Sequence, residues 1–301
     1  MSELEEVATG LQFPEGPIAM DDGTVLLVEI ARGTLSRVDP ASGTIAVVAE
    51  CGGGPNGAAV GPDGAIYVSN NGGCFTWLDL GGFTIPGPPP DTYPGHGSIQ
   101  RVDLDTGAVT TLYTECDGHP LRAPNDIVFD AVGGFWFTDH GVRHERTSDR
   151  TGIYYALPDG SSIREVIFPL DAPNGVGLSP DGGRLFAAET HTGRVFGWSV
   201  PEPGTVGPQE LLAGLPGMQL LDSLAVDGDG WVCVATLVNG GITSISPDGE
   251  IIEHLATGDP LTTNICFGGD DLRTAYITSS GTGRLLRTQW PRPGLRLSYS
   301  G

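Results

Sequence analysis

The sequence predicts an all-β protein: a six-bladed β-propeller of four-stranded antiparallel blades, with residues 1–301 forming one domain. Three observations support this prediction. A polar residue recurs about eight positions ahead of a tight turn, an apolar strand follows each turn, and few segments need a helix. Such an internal repeat is typical of propellers and solenoids. The six polar residues and their turns are Glu15 before Asp22-Gly23, Asn56 before Asp63-Gly64, Asn125 before Gly133-Gly134, Asn174 before Asp181-Gly182, Asp222 before Asp229-Gly230, and Asn264 before Asp270-Asp271.

The first repeat shows the four strands of one blade. A short apolar strand at 16–20 leads through the turn at 21–23 to a β-branched strand at 24–30, and strands at 34–39 and 44–50 follow. Later repeats supply second strands at 65–69, 135–138, 184–188, 231–235 and 274–278, and third strands at 97–103, 152–155, 193–198, 241–245 and 283–287. An N-terminal strand around Leu4 to Ala8 is expected to complete the last blade and close the ring.

Composition excludes several classes of function. The net charge of −22 argues against a nucleic-acid backbone or an anionic membrane as a partner. All 15 basic residues are arginine, so no Schiff-base or Walker-type lysine is available. The five cysteines are widely spaced and form no C-x-x-C pair, and the chain has no run of transmembrane length. These features predict a cytoplasmic protein and leave its oligomeric state open.

Blade topology predicts where substrate contacts lie. If each repeated polar residue begins an innermost strand, the connections between second and third strands lie on the same face of the propeller. Two of these connections are unusually long, at 70–96 and 139–151. Long loops in compact domains are usually functional or disordered. Trp77, Phe83 and Tyr93 make the first connection a candidate for an ordered lid.

The polar ring has the composition of a divalent-cation site. Glu15 and Asp222 would supply carboxylates, and Asn125 and Asn174 would supply amide oxygens. An all-oxygen set without His or Cys suits a hard ion such as Ca²⁺, Mg²⁺ or Mn²⁺ better than structural zinc, so Ca²⁺ is expected first, with Mn²⁺, Mg²⁺ or Zn²⁺ as alternatives. In the plainer interpretation, the same residues cap strand starts or bind channel water.

Five segments in register resemble the successive motifs of the SMP-30/gluconolactonase/regucalcin-like family. They are Phe13-Pro-Glu-Gly-Pro17, Arg122-Ala-Pro-Asn-Asp126, Ala172-Pro-Asn-Gly-Val-Gly177, Leu221-Asp-Ser-Leu-Ala-Val-Asp227 and Thr263-Asn-Ile-Cys-Phe-Gly-Gly269. The resemblance runs across essentially the whole chain. It implies a six-bladed propeller with one divalent metal at the mouth of the channel.

The resemblance also implies roles for individual residues. The metal ligands would be Glu15, Asn174 and Asp222, with Asn125 as a further metal or substrate contact, and Asp222 would act as general base. Two positions depart from the family pattern. Ser223 replaces the glycine that follows the last ligand, and Arg122, a candidate substrate contact, precedes Asn125 by three positions rather than two. Asn56 and Asn264 match no family ligand and are expected to support the ligands or bind water.

Other chemistries fit the sequence less well. The segment 95–99 lacks the G-x-S-x-G pattern and the strand-to-helix elbow of a serine hydrolase. His140 and His144 are four residues apart, but they lie in a glycine-interrupted loop, which disfavours a zinc site. His191 is expected in a connection on the same face, where it either touches a substrate or faces solvent.

These observations predict a metal-dependent lactonase of the gluconolactonase type. The metal would polarise the carbonyl of a sugar-type lactone, and Asp222 would take a proton from the attacking water. A fluorophosphatase-like phosphotriester hydrolase is a first alternative, because a metal that stabilises an oxyanion formed at carbon could also stabilise one formed at phosphorus. A non-catalytic propeller that binds calcium or another ligand is a second.

Overall fold

The structure is a computed structural model that describes residues 3–299. Within this range the regular secondary structure consists of β-strands. The first seventeen strands are β1 Glu5–Thr9, β2 Pro14–Ala19, β3 Val25–Glu29, β4 Thr34–Asp39, β5 Thr44–Glu50, β6 Pro55–Val60, β7 Ile66–Asn70, β8 Trp77–Leu80, β9 Phe83–Pro86, β10 Ser98–Val102, β11 Val109–Tyr113, β12 Glu115–Cys116, β13 His119–Pro120, β14 Pro124–Phe129, β15 Phe135–Asp139, β16 Thr151–Ala156 and β17 Ile163–Leu170. Of these, β8 with β9 and β12 with β13 form two-stranded hairpins outside the blades. The remaining strands are β18 Pro173–Leu178, β19 Arg184–Glu189, β20 Arg194–Ser199, β21 Glu210–Gly214, β22 Leu220–Val226, β23 Val232–Leu237, β24 Gly241–Ile245, β25 Ile252–Ala256, β26 Thr262–Gly268, β27 Thr274–Ser279 and β28 Arg284–Gln289.

Six four-stranded antiparallel sheets make up the propeller. Their orders are β2-β3-β4-β5, β6-β7-β10-β11, β14-β15-β16-β17, β18-β19-β20-β21, β22-β23-β24-β25 and β26-β27-β28-β1. In the last sheet the N-terminal strand β1 pairs with β28, from Glu5 opposite Arg287 to Thr9 opposite Arg284. Both the six-bladed fold and the closing strand predicted near Leu4 to Ala8 are confirmed.

The apolar core lies between neighbouring blades rather than on the axis. Each of six buried clusters draws side chains from two adjacent blades, so that Tyr67 packs with Phe129 and Phe135 across one interface and Trp136 with Leu185 across the next. Second strands are enclosed on both faces; all five residues of β3, β7 and β15 are buried. This explains their continuous apolar sequence. No helix within residues 3–299 is long and apolar enough to cross a membrane.

The C-terminal segment covers one end of the channel. Tyr299 packs against Phe129 with ring centroids 5.8 Å apart, and Leu295 and Leu297 line a cavity of about 110 Å³ formed with the inner strands. Arg292 anchors the segment: its Nε donates to the fully buried carboxylate of Asp227 at 2.6 Å, and its guanidinium lies 4.0 Å from the centroid of the Trp231 ring.

Replacing Asp227 by asparagine is expected to destabilise the fold by about 3 kcal/mol, because the mostly buried guanidinium of Arg292 loses its buried charge partner and keeps only the exposed carboxylate of Glu253. The asparagine oxygen can still accept from the backbone N–H groups of Asp229 and Trp231, so the turn is retained. Urea unfolding measures the change. Glu5→Gln removes a carboxylate from an exposed ion pair with Arg287 and should change stability little; equal effects of the two substitutions would contradict the anchoring role of Arg292.

Candidate metal and catalytic site

The six repeated polar residues all lie near the start of the innermost strands, where the regular pairing with the second strand is interrupted. The register shifts fall between Glu15 and Ile18, Pro55 and Gly57, Pro124 and Ile127, Pro173 and Val176, Leu221 and Leu224, and Thr262 and Asn264. A β-bulge re-aims the side chains of the bulged strand and commonly lies beside an active site. The same local irregularity thus recurs in every blade at the level of the polar ring.

Glycine follows the polar residue in three blades and lets the inner strands approach closely at this level. A Cβ at Gly175 would lie 2.3 Å from the backbone nitrogen of Leu224, and one at Gly57 would lie 2.4 Å from the carbonyl oxygen of Asn125. Both distances are too short for a side chain. The close approach brings polar residues of different blades to one narrow part of the channel.

Glu15 is the most deeply buried carboxylate of the ring, with 1% of its surface exposed. Its Oε2 accepts hydrogen bonds from the Gly16 N–H at 2.6 Å and from Asn264 Nδ2 at 2.8 Å. Its Oε1 is buried without a hydrogen-bond partner among the described residues. Burial first, and then the negative charge of Asp222, raise the pKa of Glu15 well above its ordinary value.

Asp222 lies on the innermost strand of blade five, β22, and remains partly exposed. Burial, with a further contribution from the negative charge of Asp126, raises its pKa to about 7, although hydrogen bonds from the Asn174 side chain and the Ser223 backbone oppose the shift. Asn174 Nδ2 also donates to Thr190 Oγ1 at 3.1 Å. The hydroxyl of Ser223, the position that departs from the family pattern, lies 3.4 Å from Asn174 Oδ1, which is a long contact for an O–H donor.

Asn125 and Asp126 are adjacent in sequence, and both are buried beside the ring. Asn125 Oδ1 has no hydrogen-bond partner in the part of the chain that the structure describes. Asp126 Oδ1 accepts from the Ile127 N–H at 2.9 Å, and its Oδ2 accepts from the Val176 N–H of the next blade at 3.0 Å. Burial raises the pKa of Asp126 to about 7.

The oxygen atoms that the ring offers are of the kind that binds a hard divalent cation. Two buried oxygen atoms, Glu15 Oε1 and Asn125 Oδ1, have no hydrogen-bond partner among the residues that the structure describes, and a buried polar atom without a partner is costly. With Asp222 and Asn174 they form an oxygen-only donor set. Within residues 3–299, no group of three or more His, Cys, Asp or Glu side chains is placed to hold a metal. Any cation at the ring therefore depends on amide oxygens as well as carboxylates.

Arg122 and His191 lie outside the ring. The guanidinium of Arg122 donates to the Gly95 carbonyl at 2.8 Å and lies 3.7 Å from Asp149, so it links the two long connections. His191 packs edge-on against His140 with ring centroids 5.8 Å apart. The neighbour of His140 is thus His191, whereas His144 is exposed. Burial is the first cause that lowers the pKa of His191, to about 4.

The connection at 70–96 folds over the face that carries the ring. Its hairpin β8–β9 reaches blade six, where the Thr84 N–H donates to the Gly281 carbonyl at 2.8 Å. Trp77 packs on Phe13, two residues before Glu15, with ring centroids 4.9 Å apart. Phe13 itself has a φ of 56°, a left-handed conformation that is uncommon for a bulky residue. The hairpin therefore covers the side of the mouth formed by blades one and six.

Asp126 is the residue of this site that the sequence analysis did not single out. Side chains alternate between the two faces of a regular strand, so Asn125 and Asp126 would point in opposite directions. The bulge between Pro124 and Ile127 removes that alternation. The only sequence signal was an acidic residue directly after a ring residue in an otherwise apolar inner strand.

Fold and site together define a class of protein: a six-bladed propeller with carboxylates and amides gathered at one level of its channel. Residues 13–281 match the SMP-30/Gluconolactonase/LRE-like region, and the chain belongs to this family.

Relatives of known name agree with this assignment. The chain is 25% identical to the gluconolactonase of Zymomonas mobilis, over 95% of this chain and 81% of that protein. It is 30% identical to lactonase drp35 of Staphylococcus saprophyticus, over 84% of this chain and 72% of that protein. Among solved structures, a gluconolactonase from Xanthomonas campestris superimposes with a TM-score of 0.77 at 22% identity, covering 96% of this chain and 90% of that one. These relatives support a lactonase-like function.

Proposed function

We propose that the protein is a divalent-metal-dependent lactonase that opens a sugar-type lactone at the polar ring. The observation that carries the proposal is the pair of buried oxygen atoms, Glu15 Oε1 and Asn125 Oδ1, that lack a hydrogen-bond partner within residues 3–299, together with the partly exposed carboxylate of Asp222, whose charge acts on Glu15. Oxygen atoms left without a donor in a buried site favour a bound cation.

Glu15, Asn174 and Asp222 would hold the ion, with Asn125 as a fourth oxygen or as a contact to the substrate. Ca²⁺ suits this set best, and Mn²⁺, Mg²⁺ or Zn²⁺ are the alternatives to test. Asn264 keeps the Glu15 carboxylate oriented, because its Nδ2 donates a hydrogen bond to Oε2 and leaves Oε1 for the ion. Thr190 holds the Asn174 amide in the same way.

The chemistry follows from this arrangement. When bound, the cation would draw electron density from the lactone carbonyl and stabilise the negative charge that forms on its oxygen. Asp222 then accepts a proton from the attacking water and passes it to the ring oxygen that leaves. A carboxylate that also binds a cation is a weak base, so its proton affinity is reduced at the moment it is needed. Most of the rate enhancement must therefore come from the electrostatic effect at the carbonyl.

Two further features favour a small substrate. The β8–β9 hairpin covers one side of the mouth, and the C-terminal segment covers the opposite end of the channel. The names of two relatives, gluconolactonase and lactonase drp35, indicate the same reaction class. A lactone is small enough to reach the ring from the remaining open side.

The test is hydrolysis of a panel of aldonolactones and simple γ- and δ-lactones, followed with a pH indicator. Chelated protein is compared with protein to which Ca²⁺, Mn²⁺, Mg²⁺ or Zn²⁺ has been restored singly. Turnover that depends on one of these ions is the expected result. Full activity after chelation would contradict the metal-dependent mechanism. Tight metal binding without turnover of any lactone would favour a phosphotriester substrate or a non-catalytic binding role.

A further inference from the structure

Arginine is concentrated at one part of the rim of the channel. The connection at 139–151 carries Arg143, Arg146 and Arg150 within eight residues, whereas the whole chain has 15 arginines in 301 residues. Arg122 adds a fourth at the base of the same connection, through its contact with Asp149. Elsewhere acidic residues dominate a chain that has 37 Asp and Glu. The connection also carries Asp139, Glu145 and Asp149, so its charges balance, and the rim is less acidic than the rest of the protein.

Arg143 and Arg150 share a single carboxylate. Their guanidinium nitrogens lie 3.7 and 3.3 Å from the two oxygens of Asp171, which follows β17 at the start of blade four. Both arginine side chains are 53% exposed. One carboxylate cannot neutralise two guanidinium groups, and each group has donors that Asp171 does not use. Within this group of three side chains, one positive charge is therefore in surplus, and guanidinium N–H donors that Asp171 does not use face solvent.

This surplus lies beside the polar ring and not on a remote surface. Asn174 binds Thr190, the next residue is His191, and His191 packs on His140. Arg143 lines the same small cleft as both imidazoles. After burial, its positive charge is among the causes that lower the pKa of both His140 and His191. The two histidines are consequently neutral at physiological pH and can hydrogen-bond a ligand without adding charge.

We propose that the substrate is an acidic lactone whose carboxylate, sulfonate or phosphate group is bound by Arg143 and Arg150 while its carbonyl lies at the polar ring. This inference rests on the proposed function, which it narrows to a substrate class. Paired guanidinium groups match the geometry of an oxyanion. A charge-balanced rim repels an anion less than the acidic remainder of the protein does.

The decisive comparison uses D-glucono-γ-lactone and D-glucaro-γ-lactone, which differ only by a hydroxymethyl or a carboxylate group. The ratio of their kcat/KM values is expected to favour the acidic lactone by about tenfold at low salt and to fall as NaCl is raised. The double variant Arg143→Gln/Arg150→Gln should reduce this ratio by about tenfold. Arg37→Gln is the matched control, because Arg37 pairs with Asp22 at a turn on the opposite face and its loss should leave the ratio unchanged.

A binding measurement separates this inference from the proposed function. Calorimetry in Ca²⁺ compares D-glucuronate with D-glucose, and glucose 6-phosphate distinguishes phosphate from carboxylate. Tighter binding of an acidic sugar, lost in the double variant, supports the arginine site even if no lactone is hydrolysed; in that case only the proposed function fails. A kcat/KM ratio near one in the wild type, or equal affinity for the neutral and acidic sugars, would overturn the inference.

Discussion

An Asp222→Asn variant is expected to hydrolyse lactones about 10³-fold more slowly than the wild-type protein, measured as kcat/KM with Ca²⁺ in excess. The substitution keeps the size and shape of the side chain. It removes the group that we propose as proton acceptor and one of only two carboxylates in the proposed ligand set. Both losses weaken the stabilisation of the same oxyanion, so they act on one transition state and are not additive.

The control for this variant lies in the same blade. Asp229→Asn makes an identical change of atoms and charge at the exposed turn that joins β22 to β23, and it should retain wild-type activity. Calorimetry with Ca²⁺ separates the two losses in the Asp222 variant. If the ion still binds when supplied in excess, the missing activity reports on proton transfer and on the electrostatics of the site. An Asp222→Asn protein that keeps more than about a tenth of the activity would remove Asp222 from the mechanism.

The sequence predicted the blades well because the repeat is local. Each blade needs a short apolar strand, a turn with glycine or aspartate at its tip and a second apolar strand, and these signals lie within about 20 residues of one another. The closing strand was predictable for a different reason: an antiparallel blade that lacked its outer strand had only the N-terminus left to complete it. The observed pairing of Glu5 with Arg287 matches that reasoning.

The site was predictable in its positions but not in its geometry. Spacing and family resemblance identified Glu15, Asn125, Asn174 and Asp222, and the structure brings all four to the start of inner strands. The sequence did not reveal the bulges, because an extra unpaired residue does not change the pattern of apolar and polar residues. Asp126 was missed for that reason. The residue roles remain predictions until the variants are measured.

The rim depends on contacts between distant parts of the chain, which no local pattern encodes. His140 meets His191 of the next blade, and Thr84 of the hairpin meets Gly281 of blade six. The spacing of His140 and His144 carried no information, because the segment between them is not a helix. Arg122 illustrates the same limit: it contacts Gly95 and Asp149, which are brought beside it by two separate connections.

Glu15→Gln is expected to have opposite effects on stability in the presence and absence of metal. In a chelator, burial is the first cause that raises the pKa of Glu15, Asp126 and Asp222, and the charges of Asp222 and Asp126 raise the pKa of Glu15 further. Glutamine removes one of these charges, and its amide oxygen can still accept from Gly16 and Asn264. The variant should therefore melt a few degrees higher than the wild type at pH 8 when no metal is present.

The sign of the pH dependence follows from the raised pKa of Glu15. At a pH below 4.5, the ordinary pKa of this group, Glu15 is protonated in both the folded and unfolded states and does not destabilise the fold. As pH rises, the unfolded chain releases the proton first, so the wild type loses stability until the folded-state pKa is passed. The advantage of Glu15→Gln in chelator should accordingly be small near pH 4.5 and larger at pH 8. The difference between the two proteins isolates this group from the many other carboxylates.

Saturating Ca²⁺ should reverse the order. A ligand present at a thousand times its Kd stabilises the folded state by about 4 kcal/mol. A bound cation would also offset the repulsion between the neighbouring carboxylates. Glu15→Gln lacks one of the two charged ligands and gains less. Melting curves of both proteins at pH 4.5 and pH 8, in EDTA and in Ca²⁺, give all four comparisons. A variant whose melting temperature rises as much on adding Ca²⁺ as that of the wild type would exclude Glu15 as a ligand, because losing a ligand must reduce the stabilisation that the ion provides.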